Sequence, residues 1–277
     1  MALTKKEKDE LTEFALSIRR ETLRCIGTLG VGHIGGALSV ADILAYLYGK
    51  AMHIDPKNPR MEDRDKLVLS KGHSGPALYA TLALKGFFPM DWLKTLNKGG
   101  TSLPSHCDRT KTPGIDMTTG SLGQGLSLAI GMAYANRLLK KDNFVYAIIG
   151  DGETEEGQIW EAAMAASHYK LDNLIAFTDN NKMQIDGFTS DVLGVEDLTR
   201  KWDAFGWNVI RVNGHSFDEL DKAVTAFKKK NGKPSMIIAD TIKGKGGGAK
   251  FEGQVSSHNA QLTLDEAELI IKEVLHG

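Results

Sequence analysis

Five short stretches read as strands along the chain: Lys66–Ser70, Phe144–Ile149, Leu174–Thr178, Trp207–Val212 and Ser235–Asp240. In Phe144–Ile149 the apolar residues run without alternation, as in a strand buried on both faces. Helical periodicity fills most of the intervals, at Ser121–Lys141, Glu153–Tyr169 and Asp218–Lys230. Ahead of all of these, Leu11, Phe14, Ala15 and Ile18 share one helical face behind Thr4 and Glu7, which are spaced as a capping box. Ser216 with Glu219, and Thr263 with Glu266, repeat that start signal before the helix at 218 and before a last helix. Strands alternating with helices predict an α/β fold, a mostly parallel β-sheet flanked by helices on both faces. No repeat, proline-rich linker or compositional break divides the sequence, so a single domain over residues 1–277 is expected. Within it, a glycine-rich loop at about 243–257 precedes the terminal helix, and its core, Lys243–Gly248, is either a mobile lid or a linker.

Charge removes some classes of partner. Lysine plus arginine number 34 and aspartate plus glutamate 35, so no global field draws the chain to nucleic acid. With 42% hydrophobic residues, the 277-residue chain can bury roughly three quarters of its unfolded surface. Cys25 and Cys107 are too few for a disulfide framework, and the eight histidines show no paired-cysteine zinc spacing. A reducing, cytoplasmic setting is expected. The charged start, Met1–Glu10, and the lack of an apolar run near the ~20 residues of a membrane span argue against secretion and membrane insertion.

Open parallel sheets bind ligands beyond the carboxyl ends of their strands. There the strand at 66–70 runs into Lys71-Gly72-His73-Ser74-Gly75, and the strand at 144–149 into Gly150-Asp151-Gly152, followed by Glu153, Glu155 and Glu156. The strand at 174–178 runs into Asp179-Asn180-Asn181. Alone, an aspartate between glycines is a tight turn. With Asn181 delivered by the next strand, it becomes one carboxylate and one carboxamide, which suits Mg2+ completing its octahedron with phosphates and water. The flanking glycines let phosphates approach the backbone.

Ser121-Leu122-Gly123-Gln124-Gly125, following Thr118-Thr119-Gly120, opens the next helix with small residues. They leave amides free for an anion, or they allow close helix packing through Gly125 and Gly131, and the position in the chain favours a mixed role. His33, His73, His106 and His258 each stand beside a small residue, as loop histidines facing a polar cavity do. Convergence of several would make them proton carriers. His53, His168, His215 and His276 have ordinary contexts and are given no role. Glu156 near a helix start is favourable to the dipole, and its place beside Asp151 fits an interface or cofactor-coupling role.

Taken together and in order, Gly32-His33-Ile34-Gly35-Gly36, Lys71-Gly72-His73, Thr119–Gly125 and Gly150-Asp151-Gly152 to Asn181 resemble the amino-terminal, diphosphate-binding domain of transketolase. The resemblance runs from the first helix nearly to the carboxyl end. A full-length transketolase continues into a pyrimidine-binding domain and a carboxyl-terminal domain, so the chain is similar to the amino-terminal subunit of a split transketolase. The resemblance implies thiamine diphosphate and Mg2+, with Ca2+ or Mn2+ as possible substitutes. It assigns the metal to Asp151, Asn181 and the main-chain carbonyl of Met183, and the cofactor to His73, Gly120, Leu122, Gly152, Asn181 and His258. His33, His106 and His258 would handle sugar hydroxyls and their protons. Glu156 would couple across the subunit interface to an activating glutamate on the pyrimidine-binding domain.

The reaction so implied moves a two-carbon glycolaldehyde unit from a ketose or ketose phosphate to an aldose acceptor, held meanwhile as a thiazolium-stabilised carbanion or enamine. The implied partner is a carboxyl-terminal subunit carrying the pyrimidine-binding domain, two copies of each, with sugar phosphates as substrates, as in pentose phosphate metabolism. The chain alone would be inactive. Ile34 and Ser121 stand where full-length relatives often have proline, and Cys107–Pro113 departs from their pattern, which bears on substrate specificity. Alternatives are a subunit of a deoxyxylulose-phosphate synthase-like enzyme or of a 2-oxo acid dehydrogenase, or a non-catalytic regulatory subunit. The several loop histidines favour a polyhydroxylated substrate. A dinucleotide fingerprint in a convincing strand–turn–helix context is not found.

Overall fold

In the computed structural model, which describes residues 2–194 and 197–276, the chain opens on α1 (Lys5–Leu29), β1 (Val31–Gly32), α2 (Ile34–Ser39) and α3 (Ala41–Tyr46). Then come β2 (Lys66–Leu69), α4 (Gly75–Leu84), α5 (Gln124–Leu138), β3 (Val145–Gly150), α6 (Gly157–His168) and β4 (Leu174–Asn180). The remainder is α7 (Thr189–Val192), α8 (Leu198–Ala204), β5 (Asn208–Asn213), α9 (Phe217–Phe227), β6 (Ser235–Asp240), β7 (Ala260–Gln261) and α10 (Leu264–Val274).

Five strands form one parallel sheet in the order β2-β3-β4-β6-β5. The pleat sends alternate residues to opposite faces. Tyr146, Ile148, Ile175, Phe177 and Ile237 join α1 to α4, α9 and α10 in one apolar core. Val145, Ala147, Ile149, Leu174, Ala176, Met236 and Ile238 join α5, α6 and α8 in the other. Both faces are therefore covered, which is why the central strands read as unbroken apolar runs. A separate antiparallel pair, β1 with β7, sets Val31 opposite Gln261 and Gly32 opposite Ala260.

Helix starts follow their caps. Thr4 and Thr263 each accept from the amide of the glutamate three residues on, and that glutamate bonds back to the cap amide. At Ser216 only half of the box forms, because Glu219 turns its carboxylate to the Asn213 amide at 2.8 Å. The helix expected from Ser121 begins at Gln124, since Gly123 is left-handed (φ 83°) and breaks it. The helix expected from Glu153 is a 3-10 turn at Gly152–Glu155, an extended Glu156, and then α6.

Candidate functional site

The carboxyl ends of β3 and β4 lie side by side, with Gly150 registered against Asp179, so Asp151 and Asn181 emerge at the same edge. Asp151 is 2% exposed. Its Oδ1 accepts the Gly152 amide at 2.8 Å and its Oδ2 accepts the amide of Lys182, which a left-handed φ of 66° turns inward. Burial, reinforced by the charge of Asp179, pushes the Asp151 carboxyl up to about 7. Asn181 donates through Nδ2 to Asp179 at 3.1 Å and accepts the Met183 amide on Oδ1, also at 3.1 Å. These bonds fix which way the carboxamide oxygen faces. Among the described residues no three His, Cys, Asp or Glu side chains are grouped to hold a metal ion. The donors at this corner are instead a carboxylate, a carboxamide oxygen and the Met183 carbonyl, a hard oxygen set that suits Mg2+, Ca2+ or Mn2+ with phosphate oxygens completing the shell.

A cavity of about 260 Å³ opens over this corner, lined by Asp151, Gly152, Asn181, Met183, Leu122, His73 and His258, among others. Its walls need glycine. A Cβ on Gly152 would stand 2.7 Å from the Gln184 Cβ, and one on Gly36 would meet His73 Nε2 at 3.2 Å and Lys71 Nζ at 3.3 Å. Gly72 has no room either, with the Gly120 amide 2.9 Å from where its Cβ would be. Two lysines that sequence reasoning passed over, Lys71 and Lys243, also line it, each only 2% exposed. Lys243 Nζ lies 3.3 Å from the Met183 carbonyl and 3.3 Å from His258 Nδ1. Burial, then the neighbouring Lys71, brings its pKa down to about 8. Oxygen donors for a divalent ion, two ammonium groups and glycine walls together fit a metal-bound diphosphate.

Some expectations about small residues need correcting. The Gly123 amide is not free for an anion: it donates to Glu153 Oε1 at 2.9 Å, and Glu153 also takes the Gly150 amide at 3.0 Å and the Ser70 hydroxyl. Glu153 is thus the buried clamp that joins the start of α5 to the end of β3. Gly125 does serve close packing, since its Cβ would lie 2.6 Å from Ser70 Cα, whereas Gly131 is exposed with nothing within 4 Å.

The four loop histidines converge. Ring centroids of His33 lie 5.3 Å from His73, 5.9 Å from His106 and 5.5 Å from His258, and His73 lies 5.1 Å from His258. Burial holds every one of them below the ordinary histidine value. Lys71 adds to the effect at His73, and His106 at His33. At His258, burial and then Lys243 lower it to about 3. All four are neutral at physiological pH, so each ring offers one donor and one acceptor to hydroxyl groups. Gly120 backs this cluster, its Cβ position 3.5 Å from the His106 ring. Glu156 stands apart: it lines the cavity but is exposed, at the extended residue before α6.

The glycine-rich segment forms a strap tied to the body of the protein by backbone bonds. The Gly244 amide donates to Gly35 O at 2.9 Å, the Gly253 amide to Lys243 O at 2.8 Å, and Arg19 Nε to Lys245 O at 2.9 Å. The strap's start is fixed by His215, whose Nε2 accepts the Ile242 amide at 2.9 Å while Nδ1 bonds Asp42 at 2.6 Å. His215 therefore has a structural role that its context in the sequence did not show.

The family model described as transketolase, thiamine diphosphate binding domain, matches residues 12–275. The chain belongs to the transketolase family. It is 57% identical to the 6-deoxy-6-sulfo-D-fructose transketolase subunit of a Clostridium species, over 96% of both chains. It is 40% identical to an apulose-4-phosphate transketolase subunit from Phocaeicola vulgatus, over 92% of this chain and 90% of that one. The crystal structure of transketolase from Campylobacter jejuni superposes with a TM-score of 0.88 at 33% identity, covering 96% of this chain but only 43% of that one. This transketolase chain thus spans less than half of a full-length relative and nearly the whole of the subunit-type relatives. Among its described residues, no helix is long and apolar enough to cross a membrane.

Proposed function

We propose that this chain is the diphosphate- and metal-binding subunit of a two-component transketolase. The enzyme moves a glycolaldehyde unit from a ketose carrying an anionic tail, such as a sulfonate or phosphate, to an aldose. The observation that carries the reading is the meeting of two sites: the Asp151–Asn181–Met183 oxygen corner opens into a cavity whose lining includes His73 and His258, and these two rings belong to the cluster with His33 and His106. A 2-oxo acid substrate has no hydroxyls to engage four neutral imidazoles, and a polyhydroxylated sugar does. The substrates named for the similar subunits are a sulfosugar and a sugar phosphate, which supports this donor class rather than one pathway.

In this reading Asp151, Asn181 and the Met183 carbonyl hold the divalent ion, and Gly152, Lys71 and Lys243 face the diphosphate. Leu122, Gly120 and His73 border the rest of the cofactor. When bound, thiamine diphosphate supplies the electron sink that makes cleavage of a carbon–carbon bond feasible. The chain's own work is positioning and proton handling. His33, His106 and His258 hydrogen-bond substrate hydroxyls, and a neutral imidazole can accept a hydroxyl proton during cleavage and return it when the acceptor is joined. Glu156, exposed on the rim, is available to a carboxylic acid from the partner protein, which supplies the pyrimidine-binding domain in an assembly with two copies of each chain.

Mixing the purified chain with its pyrimidine-domain partner, thiamine diphosphate, Mg2+ and a ketose should yield transfer to an added aldose, while either chain by itself stays silent. Turnover by the verified pure chain, or strict dependence on a 2-oxo acid, would overturn the reading.

A further inference from the structure

A second cavity, of about 190 Å³, lies against the histidine cluster; His33 and His73 line it, and His73 lines the first cavity as well. It is lined by Asn97, Ser105, Asn259 and apolar groups including Pro76, and no lysine, arginine, aspartate or glutamate is among its lining residues. Asn259 is placed by the β1/β7 ladder. It directly precedes Ala260, whose partner Gly32 directly precedes His33. Asn97 comes from the loop before the His106 segment, where a left-handed φ of 55° and an amide bond to Leu103 O at 2.9 Å fold the chain back. Ser105 sits beside His106, with its hydroxyl 3.2 Å from Nδ1. Both asparagines are exposed at the cavity mouth.

Such a lining is suited to alcohol groups. Carboxamides and a hydroxyl offer donors and acceptors in both directions, as sugar hydroxyls require, but nothing here neutralises a phosphate or sulfonate. An anion buried without a cation would lose its hydration with no compensation.

Resting on the proposed transferase activity, we propose that this cavity is a specificity site for the neutral, hydroxyl-bearing part of the sugar. Asn97, Ser105 and Asn259 read the hydroxyls beyond the reacting carbons. This chain then sets how long a polyol the enzyme accepts.

The test uses the reconstituted two-component complex with one ketose donor and two acceptors, glycolaldehyde and a four- or five-carbon aldose phosphate. Wild-type transfer to both acceptors establishes the underlying activity independently. In Asn97→Ala/Asn259→Ala, kcat/KM for the long acceptor should fall on the order of 10-fold or more through KM, with glycolaldehyde within about 2-fold of wild type, as expected when hydrogen bonds worth about 1–2 kcal/mol are lost. Asn97→Asp/Asn259→Asp should leave the glycolaldehyde rate near wild type but penalise the phosphorylated acceptor further. Equal loss with both acceptors, or no loss with either, would overturn the proposal. Absence of transfer by wild type would instead sink the parent reading.

Discussion

Lys71 and Asp179 form an ion pair beneath the cavity over Asp151 and Asn181, with side chains only 2% and 0% exposed. They come from the ends of β2 and β4, strands that never touch, so the pair bridges across β3. Burial alone would raise the Asp179 carboxyl, but Lys71, with Ser39 and Thr241 donating as well, holds it below the usual carboxylate range. Asp179 in turn orients Asn181 through Nδ2. One buried carboxylate thus couples the lysine, Thr241 at the end of β6 and the corner formed by Asp151 and Asn181.

Lys71→Met strands that carboxylate without a counter-charge and should cost roughly 3–5 kcal/mol, the range for breaking a buried pair. Adding Asp179→Asn should recover part of the loss. Urea unfolding of the isolated chain checks both. A single-variant cost under about 1 kcal/mol would show that the pair does not hold the sheet edge together.

Asp151→Ala removes one of two side-chain ligands from the oxygen corner. Mg2+-dependent binding of thiamine diphosphate to the assembled complex should weaken on the order of 100-fold or more. In the wild type, Mn2+ and Ca2+ should substitute for Mg2+. Titration calorimetry with each metal measures this, and unchanged affinity in the variant would refute the clamp.

Gly152→Ala and Gly131→Ala make a contrasting pair. The first sets a methyl 2.7 Å from Gln184 Cβ, so the loop after Asn181 must shift, and cofactor affinity should fall roughly 10-fold for an overpacking cost of about 1–3 kcal/mol. The second meets nothing within 4 Å inside α5 and should stabilise the isolated chain by about 0.5–1 kcal/mol. Melting curves and calorimetry on both variants separate the cavity wall from the helix surface.

The histidine cluster gives stability a pH dependence of definite sign. Each folded value lies below the reference of 6.5, with His258 at about 3, so the unfolded chain binds protons first on acidification. The contribution is complete above about pH 6.5 and is lost as pH falls toward 3. His258→Asn should flatten the fall in Tm between pH 7 and pH 4.5 by roughly 2–4 °C, the shift expected for about 1 kcal/mol in a domain of this size class. Parallel melting profiles for variant and wild type would contradict the assignment.

The sheet was legible because Phe144–Ile149 and Leu174–Thr178 lie between two cores, and unbroken apolar runs are the imprint of that position. The meeting of Asp151 with Asn181 was legible for a related reason, since a parallel sheet brings consecutive strand ends together and each residue follows one directly. Lys71, Lys243 and His215 escaped notice because a buried lysine and a solvated one look alike in sequence, and their partners Asp179, Met183 and Asp42 are remote along the chain. The one available signal for Lys71 was its place directly after β2, next to Gly72-His73. The strap's anchoring was not legible because glycine signals freedom locally. Its backbone bonds run to Gly35, Arg19 and His215, which no local pattern reveals.

The ladder between β1 and β7 makes neighbours of His33 and His258, residues from opposite ends of the polypeptide. Translation must therefore run almost to completion before the four-histidine wall can exist at all. A nascent chain halted before residue 260 could already carry its sheet and the Asp151–Asn181 corner, yet would lack the pairing that closes the wall around its histidines.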